Sequence, residues 1–290
     1  MMRPVVLIAL MPVLILAGCA VGPSYKGPPT VTASAAPAFD RAPLAQAAAD
    51  APLQAWWRQL GDAQLDALIG SALAHNRDLA AAEANLRAAR ALLSERTADF
   101  LPSSQVSASY QRQGFSSQGQ AFGSGFALPE RDFYSIGIDS SWEIDLFGRL
   151  TRRRQEALAQ AGSAQAVRND LKVSIVAETV STYLALRGAQ QRLDVAEQSA
   201  ANQASSADLS EKLLRAGRGT GLDVARANAL LATTRASMAP LAAEVDVAIH
   251  RLGVLTGASP SALRGQLDAL KPLPALPATL SVGDPASLLR

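Results

Sequence analysis

Cysteine is almost absent: the 290 residues hold one, Cys19, and only two histidines, His75 and His250. A disulfide framework is therefore excluded, and the usual nucleophilic and metal-ligating constellations have too few members. Aromatic residues make up 5% of the chain, too few for an aromatic-rich globule. Neither sign of charge dominates, with 27 basic against 25 acidic residues, so nothing points to nucleic acid or another polyanion. The longest apolar run, Pro4 to Ala17, is shorter than the about 20 residues a membrane-spanning helix needs. What is present in quantity is alanine, the main source of the 49% apolar content, and alanine favours long, closely packed helices.

The apolar run follows Arg3 and ends in Leu16-Ala17-Gly18-Cys19. A positive start, a short greasy stretch and small residues before a cleavage point read as a signal peptide over 1–18. Leu-Ala-Gly-Cys resembles the lipobox of bacterial lipoproteins, which makes Cys19 the expected acylated N-terminus. Each buried CH₂ of such a chain adds roughly 0.8 kcal/mol of membrane affinity. By the same resemblance, Ala20 in place of Asp favours the outer membrane. Residues 19–59, rich in Pro, Ala, Ser and Thr and without periodicity, read as an extended tether.

A first helix is expected over 60–99. Leu65, Ala72, Leu79, Leu86 and Leu93 recur every seven residues, with Leu68, Ala82 and Ala89 between them, which is the stagger of a coiled-coil seam. His75 falls on that seam, and without a second ligand at suitable spacing it reads as a packed or rim imidazole. Phe100-Leu101-Pro102 ends the pattern. After a β-hairpin at 100–147, a second helix runs from about Arg149 to Ala216, on the order of 100 Å at about 1.5 Å per residue. Ala-Gly-Arg-Gly-Thr-Gly (216–221) reverses the chain, its glycines being suited to positive φ. The return arm carries Val224, Ala227, Leu231, Thr234, Met238, Leu241, Val245, Ala248, Leu252 and Leu255 in alternating steps of three and four. Pro240 lies inside it and predicts a local kink. Residues 258–290 form a Pro-rich linker. Thus 148–257 reads as one helical hairpin with its tip at 216–224.

Within the β-hairpin the two extended arms are expected at about 103–114 and 132–146. In the second, Tyr134, Ile136, Ile138, Trp142 and Ile144 alternate with small or acidic residues, among them Asp139, Glu143 and Asp145. Lipid demands that every backbone polar group be paired, so such a hairpin spans a membrane only as part of a closed barrel. The apolar set is then the lipid face, and Asp139, Glu143 and Asp145 face the water-filled lumen. Two strands cannot close the smallest barrel, which has about eight, so closure demands other chains, more strands or both; a symmetric oligomer would set equivalent hairpins around one axis.

No enzyme, cofactor or metal centre emerges. Gly217 to Gly221 superficially suggests a phosphate loop, but it follows a helix and lacks the Gly-Lys-Ser/Thr ending. Arg152-Arg153-Arg154 leaves two readings open: a solvated helix start, or a contact with anionic lipid or a carboxylate ring. For the chain as a whole, two other classes compete with an export duct. One is a lipid-anchored periplasmic adaptor, which needs a small β-rich or lipoyl-like module beside its hairpin; the other is a non-conducting structural lipoprotein.

Several segments together carry a family resemblance: Gly18-Cys19-Ala20-Val21-Gly22-Pro23-Ser24-Tyr25, WWRQLGDAQLDALIGSALAHNRDLAAAEANLRAAR, WEIDLFGR, AGRGTGLDVARA and HRLGVLTGASP. In that order they resemble the outer membrane factors, the TolC-like and NodT-type lipoproteins that form the exit ducts of tripartite efflux pumps. The resemblance implies a mainly α fold with a β-hairpin. Long antiparallel helices build a periplasmic α-barrel, and a homotrimer with four strands per chain closes a twelve-stranded outer-membrane barrel. It implies a periplasmic adaptor and an inner-membrane pump as partners, outer-membrane lipid as surroundings, and passage of small molecules without chemistry. Cys19 matches the lipidated cysteine. Gly217, Gly219, Thr220, Gly221, Leu222, Asp223 and Val224 match the tip where adaptors dock, and Asp223 matches a tip aspartate that helps hold the closed state. Family members are internally duplicated, and this chain carries the first repeat only. An incomplete duct is therefore expected from this polypeptide alone.

Overall fold

The computed structural model describes Gly27, residues 53–114 and residues 130–275. The expected signal peptide, Cys19, most of the tether, the hairpin loop at 115–129 and the end of the Pro-rich linker lie outside the described residues. In order, the elements are a 3₁₀ segment Leu53–Leu60, helix α1 (Ala63–His75), helix α2 (Arg77–Ala98), strands β1 (Ser103–Gln113) and β2 (Arg131–Ser141), helix α3 (Arg149–Arg215), helix α4 (Gly221–Thr256) and helix α5 (Pro260–Leu267). The chain divides into two compact units: one contains Leu86–Ala164, the other Pro28–Asn85 with Gln165–Arg290.

In the second unit, α1, α3, α4 and α5 meet around one core. Leu65 and Ile69 of α1, Tyr183 and Leu186 of α3, Leu252 of α4 and Leu267 of α5 are all fully enclosed. Burying an aliphatic side chain of this size contributes about 1.5–3 kcal/mol, so this cluster fastens the helices together. Trp56 and Trp57 pack against it, their rings edge to face at 6.4 Å. The expected tether therefore ends earlier than residue 59: a pair of tryptophans has more apolar area than an extended linker can leave in water.

The single helix expected over 60–99 is two helices. Asn76 interrupts it with an extended backbone (ψ 128°), and its Oδ1 accepts from the amides of Asp78 and Leu79, both at 3.0 Å, capping α2. Its Nδ2 donates to the carbonyl of Leu255 at 3.2 Å, tying the break to the end of α4. Asn is among the best N-cap residues, and this side chain satisfies amides that a helix start leaves open. Asp62 does the same for α1, accepting from Gln64 and Leu65 at 2.8 and 3.1 Å. His75 is exposed rather than on the seam, with Nδ1 3.1 Å from the carbonyl oxygen of Ser71.

Helix α3 runs unbroken for 67 residues and α4 for 36. Along α4 every expected seam position from Val224 to Leu255 is at least partly buried, while most residues between them are exposed. On α3 the seven-residue step Leu186, Leu193, Ala200, Ala207 and Leu214, with Ala189 and Ala196 between, predicts a second seam; all but Leu214, which is exposed, are at least partly buried. Ion pairs flank the two arms: Arg192 reaches Glu244 at 2.5 Å, and Arg251 binds Glu178. Helix α4 continues through Pro240.

Candidate functional site

The hairpin comes first because its two faces differ so sharply. Antiparallel pairing runs from Ser103↔Ser141 to Gln113↔Arg131 without a slip. Residues opposite each other share a face. Val106, Ala108 and Tyr110 therefore lie beside Ile138, Ile136 and Tyr134, forming one apolar face across both strands. The other face carries Gln105, Ser107, Ser109 and Gln111 beside Asp139, Gly137, Ser135 and Phe133, so Phe133 is the one large apolar side chain among polar and small ones there. On the apolar face Ile136 is 84% exposed and Tyr134 77%. Tyr110 and Tyr134 stack with ring centroids 5.1 Å apart, and the Tyr110 hydroxyl donates to Asp132 at 2.9 Å. At the opposite end, Ser103 and Ser141 hydroxyls approach to 2.9 Å.

The second strand ends at Ser141, five residues before the sequence pattern suggests. Asp139 keeps its place on the polar face. Glu143 and Asp145 do not: they belong to the turn into α3. Glu143 binds Arg149, its Oε1 accepting from Nε at 2.8 Å. Asp145 accepts from the Leu150 amide (3.0 Å), the Thr151 amide (2.8 Å) and the Thr151 hydroxyl (2.7 Å). Helix N-termini expose unpaired amides and positive partial charge, which outcompetes continuation of the strand for a nearby carboxylate. The bond from Arg149 holds the Glu143 carboxyl below the usual range, and the bond from Thr151 does so for Asp145. Trp142 and Ile144, expected on the lipid face of the strand, also lie past its end. Both are exposed, and Trp142 Nε1 donates to the carbonyl of Phe100 at 3.1 Å.

The tip joins α3 to α4 by two nested devices. Arg218 N donates to Leu213 O at 2.9 Å and Gly217 N to Leu214 O at 3.0 Å, with Gly217 at φ 70°. That is a Schellman closure, which needs a left-handed residue just after the helix. Gly217 is the only tip glycine with positive φ; Gly219 is needed for a different reason. A Cβ there would lie 3.2 Å from the Leu214 amide nitrogen and 3.3 Å from Leu213 Cβ. Gly221 meets neither demand. Thr220 and Asp223 then form a reciprocal capping box for α4: Asp223 N donates to Thr220 Oγ1 at 3.2 Å, and Thr220 N to Asp223 Oδ2 at 3.1 Å. The Thr220 hydroxyl also donates to Asp223 at 2.5 Å and keeps its carboxyl below the usual range. Leu222 and Asp223 are exposed and Val224 half-buried.

One polar site escapes the sequence reading. Arg187 is fully buried and makes no salt bridge with a carboxylate among the described residues. Its Nη1 donates to the carbonyls of Leu267 (3.1 Å) and Ala269 (2.8 Å) and to Gln190 Oε1 (2.6 Å), while Nη2 donates to Gln64 Oε1 (2.6 Å). The guanidinium carbon stands 5.1 Å from the centre of the Tyr183 ring. Tyr183 in turn donates to Asp62. The guanidinium thus closes the C-terminal end of α5 and links it to α1 and α3. The only hint in sequence is Tyr183 and Arg187 sharing one helix face, a spacing shared by many solvated pairs.

Among the described residues, an exposed apolar hairpin face, long seamed helices and a glycine-closed tip occur together in one mainly helical chain. Residues 68–258 match the outer membrane efflux protein family, and the chain belongs to it. It is 26% identical to nodulation protein T of Rhizobium leguminosarum bv. viciae, over 96% of this chain and 55% of that protein. It is 28% identical to the toluene efflux pump outer membrane protein TtgF of Pseudomonas putida, over 94% of this chain and 57% of that one. Among solved structures, the outer-membrane channel OprN superimposes with a TM-score of 0.77 at 38% identity, over 94% of this chain and 59% of OprN. The chain spans about half the length of the relatives it matches.

Proposed function

We propose that this chain is a component of an outer-membrane exit duct for small molecules, built by three copies around a common axis and passive toward its cargo. The observation that carries the reading is the hairpin register, which gathers Val106↔Ile138, Ala108↔Ile136 and Tyr110↔Tyr134 on one exposed face and leaves the other polar except for Phe133 near the loop end. In water that face costs free energy; against hydrocarbon it is favourable. Each strand has one unpaired edge, which hydrocarbon does not tolerate; three copies of this hairpin supply six strands, short of the about eight of the smallest barrel, so strands beyond these complete the closure. Tyr134, Ile136 and Ile138 meet lipid, and Asp139 faces the lumen.

In this reading an acylated Cys19 anchors the chain to the outer membrane, and the helical hairpin extends into the periplasm. The tip from Gly217 to Val224 docks a periplasmic adaptor, which connects the duct to an inner-membrane pump that supplies the energy. The chain itself has no enzymatic step and needs no cofactor. The names borne by its relatives favour drugs, solvents and similar small compounds as cargo.

The test is topological. Ser117→Cys, in the segment joining β1 to β2, is expected to react with a membrane-impermeant maleimide on intact cells, whereas Ser206→Cys on α3 reacts only after the outer membrane is permeabilised. Protection of position 117 in intact cells would sink the proposal.

A further inference from the structure

We propose that the turn between β2 and α3, with the first turns of α3, is a collar that binds anionic phospholipid headgroups, Arg153 and Arg154 being the side chains that meet the phosphate. The inference deepens the membrane reading above and rests on it.

The starting observation is a helix that begins with the wrong sign of charge. No acidic residue lies in the first turn of α3, yet Arg149, Arg152, Arg153 and Arg154 occupy four of its first six positions. Cations there oppose the positive end of the helix dipole. Two carboxylates stand nearby, and both are committed: Glu143 to Arg149, Asp145 to the amides of Leu150 and Thr151. Arg149, Arg152, Arg153 and Arg154 outnumber Glu143, Asp145 and Glu156, the carboxylates of the turn and of the first two turns of α3, by one, and Arg153 lies within the field of Glu143 without a salt bridge to it. Arg153 and Arg154 are exposed and form no hydrogen bond or salt bridge with a described residue.

A second, separate observation locates the charge. An open cleft of about 580 Å³ lies at the strand ends, where Arg153 faces Ser103, Ser141 and Leu101. The other cations of this cleft are already paired, Arg96 with Glu95 and Asp99 and Arg149 with Glu143. Arg153 is therefore the cleft cation left for an incoming anion. Leu101 lines the same cleft, and Trp142, Ile144, Leu146 and Phe147 lie in the turn that leads from β2 into α3; each of the five is between 61% and 69% exposed. Aromatic side chains with one fixed polar contact, as Trp142 has, are at home at headgroup depth.

A phospholipid satisfies both features at once, its phosphate meeting the guanidiniums and its acyl chains the apolar rim. Free phosphate answers only the first. A carboxylate-bearing segment of a neighbouring copy answers the charge but leaves the rim in water.

The 290-residue chain is folded into vesicles of phosphatidylcholine alone or mixed with phosphatidylglycerol, and the vesicle-bound folded fraction is read by flotation. The native chain is expected to favour the phosphatidylglycerol vesicles. Arg153→Gln with Arg154→Gln lowers that preference by about fivefold per arginine, and raised salt erodes it in the native chain. Arg153→Lys with Arg154→Lys retains most of it. Any acyl chain on Cys19 is common to every variant and cancels. A preference unchanged in the glutamine variant overturns the proposal. So does a glutamine variant that keeps the preference but loses self-association, which would place a protein segment on the arginines. Failure of the native chain to bind either vesicle would instead overturn the membrane reading, and this inference with it.

Discussion

The Tyr183 hydroxyl donates to Asp62 Oδ2 at 2.6 Å, joining residues 121 apart in sequence at the point where α1 begins against the middle of α3. Burial pushes the Asp62 carboxyl up, but the Tyr183 hydroxyl and the amides of Leu65 and Gln64 outweigh it and hold it below the usual carboxylate range. Burial and the same bond push the Tyr183 hydroxyl up. Tyr183→Phe removes the bond and keeps the ring, so an expected loss of about 1–2 kcal/mol isolates one hydrogen bond to a charged acceptor. Because the folded Asp62 carboxyl is depressed, its contribution is present above the usual carboxylate range and disappears as pH falls through the folded value. Urea unfolding at neutral and strongly acidic pH is expected to show the variant's deficit at the former and its near disappearance at the latter.

Arg187→Ala is expected to cost more, about 3–4 kcal/mol, because it removes a buried side chain whose donors reach the Ala269 carbonyl and the Gln64 and Gln190 side chains, although the Leu267 carbonyl keeps its bond from Gln190 Nε2. Arg187→Lys does not rescue it, since an ammonium cannot present the forked donors that reach four acceptors at once. Amide exchange over Pro260–Leu267 should accelerate in both variants; unchanged protection there would show that α5 is held by Leu263 and Leu267 alone.

At the tip, Thr220→Ala removes one half of the capping box. The expected effect is about 1 kcal/mol on the start of α4, read as faster exchange of the amides at 221–224, with the core near Leu252 unaffected. The Asp223 carboxyl, no longer held by the threonine hydroxyl, titrates higher than in the native chain, visible by NMR. The cap it supports is intact above the usual carboxylate range and is lost as pH falls through the folded value.

The two faces of the hairpin make a paired prediction. Ile136→Arg places a charge on the lipid face near the middle of the strand, at an expected cost of about 2–4 kcal/mol to the lipid-folded state. Ser135→Arg, one residue away on the polar face, is expected to cost little. Equal effects of the two in unfolding from lipid vesicles would mean that the faces are not in different solvents.

How much of this was legible in advance follows the range of the forces involved. The glycine-rich reversal at 216–221 places the end of α3 within one residue of where it is observed, because a helix stop of this kind is written in neighbouring residues. Cross-strand pairing matches the alternation read in each arm, since a period of two admits only one apolar face. The end of β2 was misjudged for a local reason with a distant appearance: Trp142, Ile144 and Leu146 continue the alternation, but Glu143 and Asp145 are drawn off by Arg149 and by the amides of a helix that starts just beyond them.

The sequence by itself determined the periodic elements, the glycine-closed tip and the hairpin's two chemistries, all of which depend on neighbours a few residues apart. Only the tertiary structure decided that Asn76 splits the first helix and that Trp56 and Trp57 join the core. It also decided that, among the described residues, the two terminal nitrogens of a buried Arg187 meet carbonyl and amide oxygens while its Nε stays without a hydrogen-bond partner. Each of these depends on a partner roughly a hundred or more residues away, and a partner at that distance leaves no period in the chain.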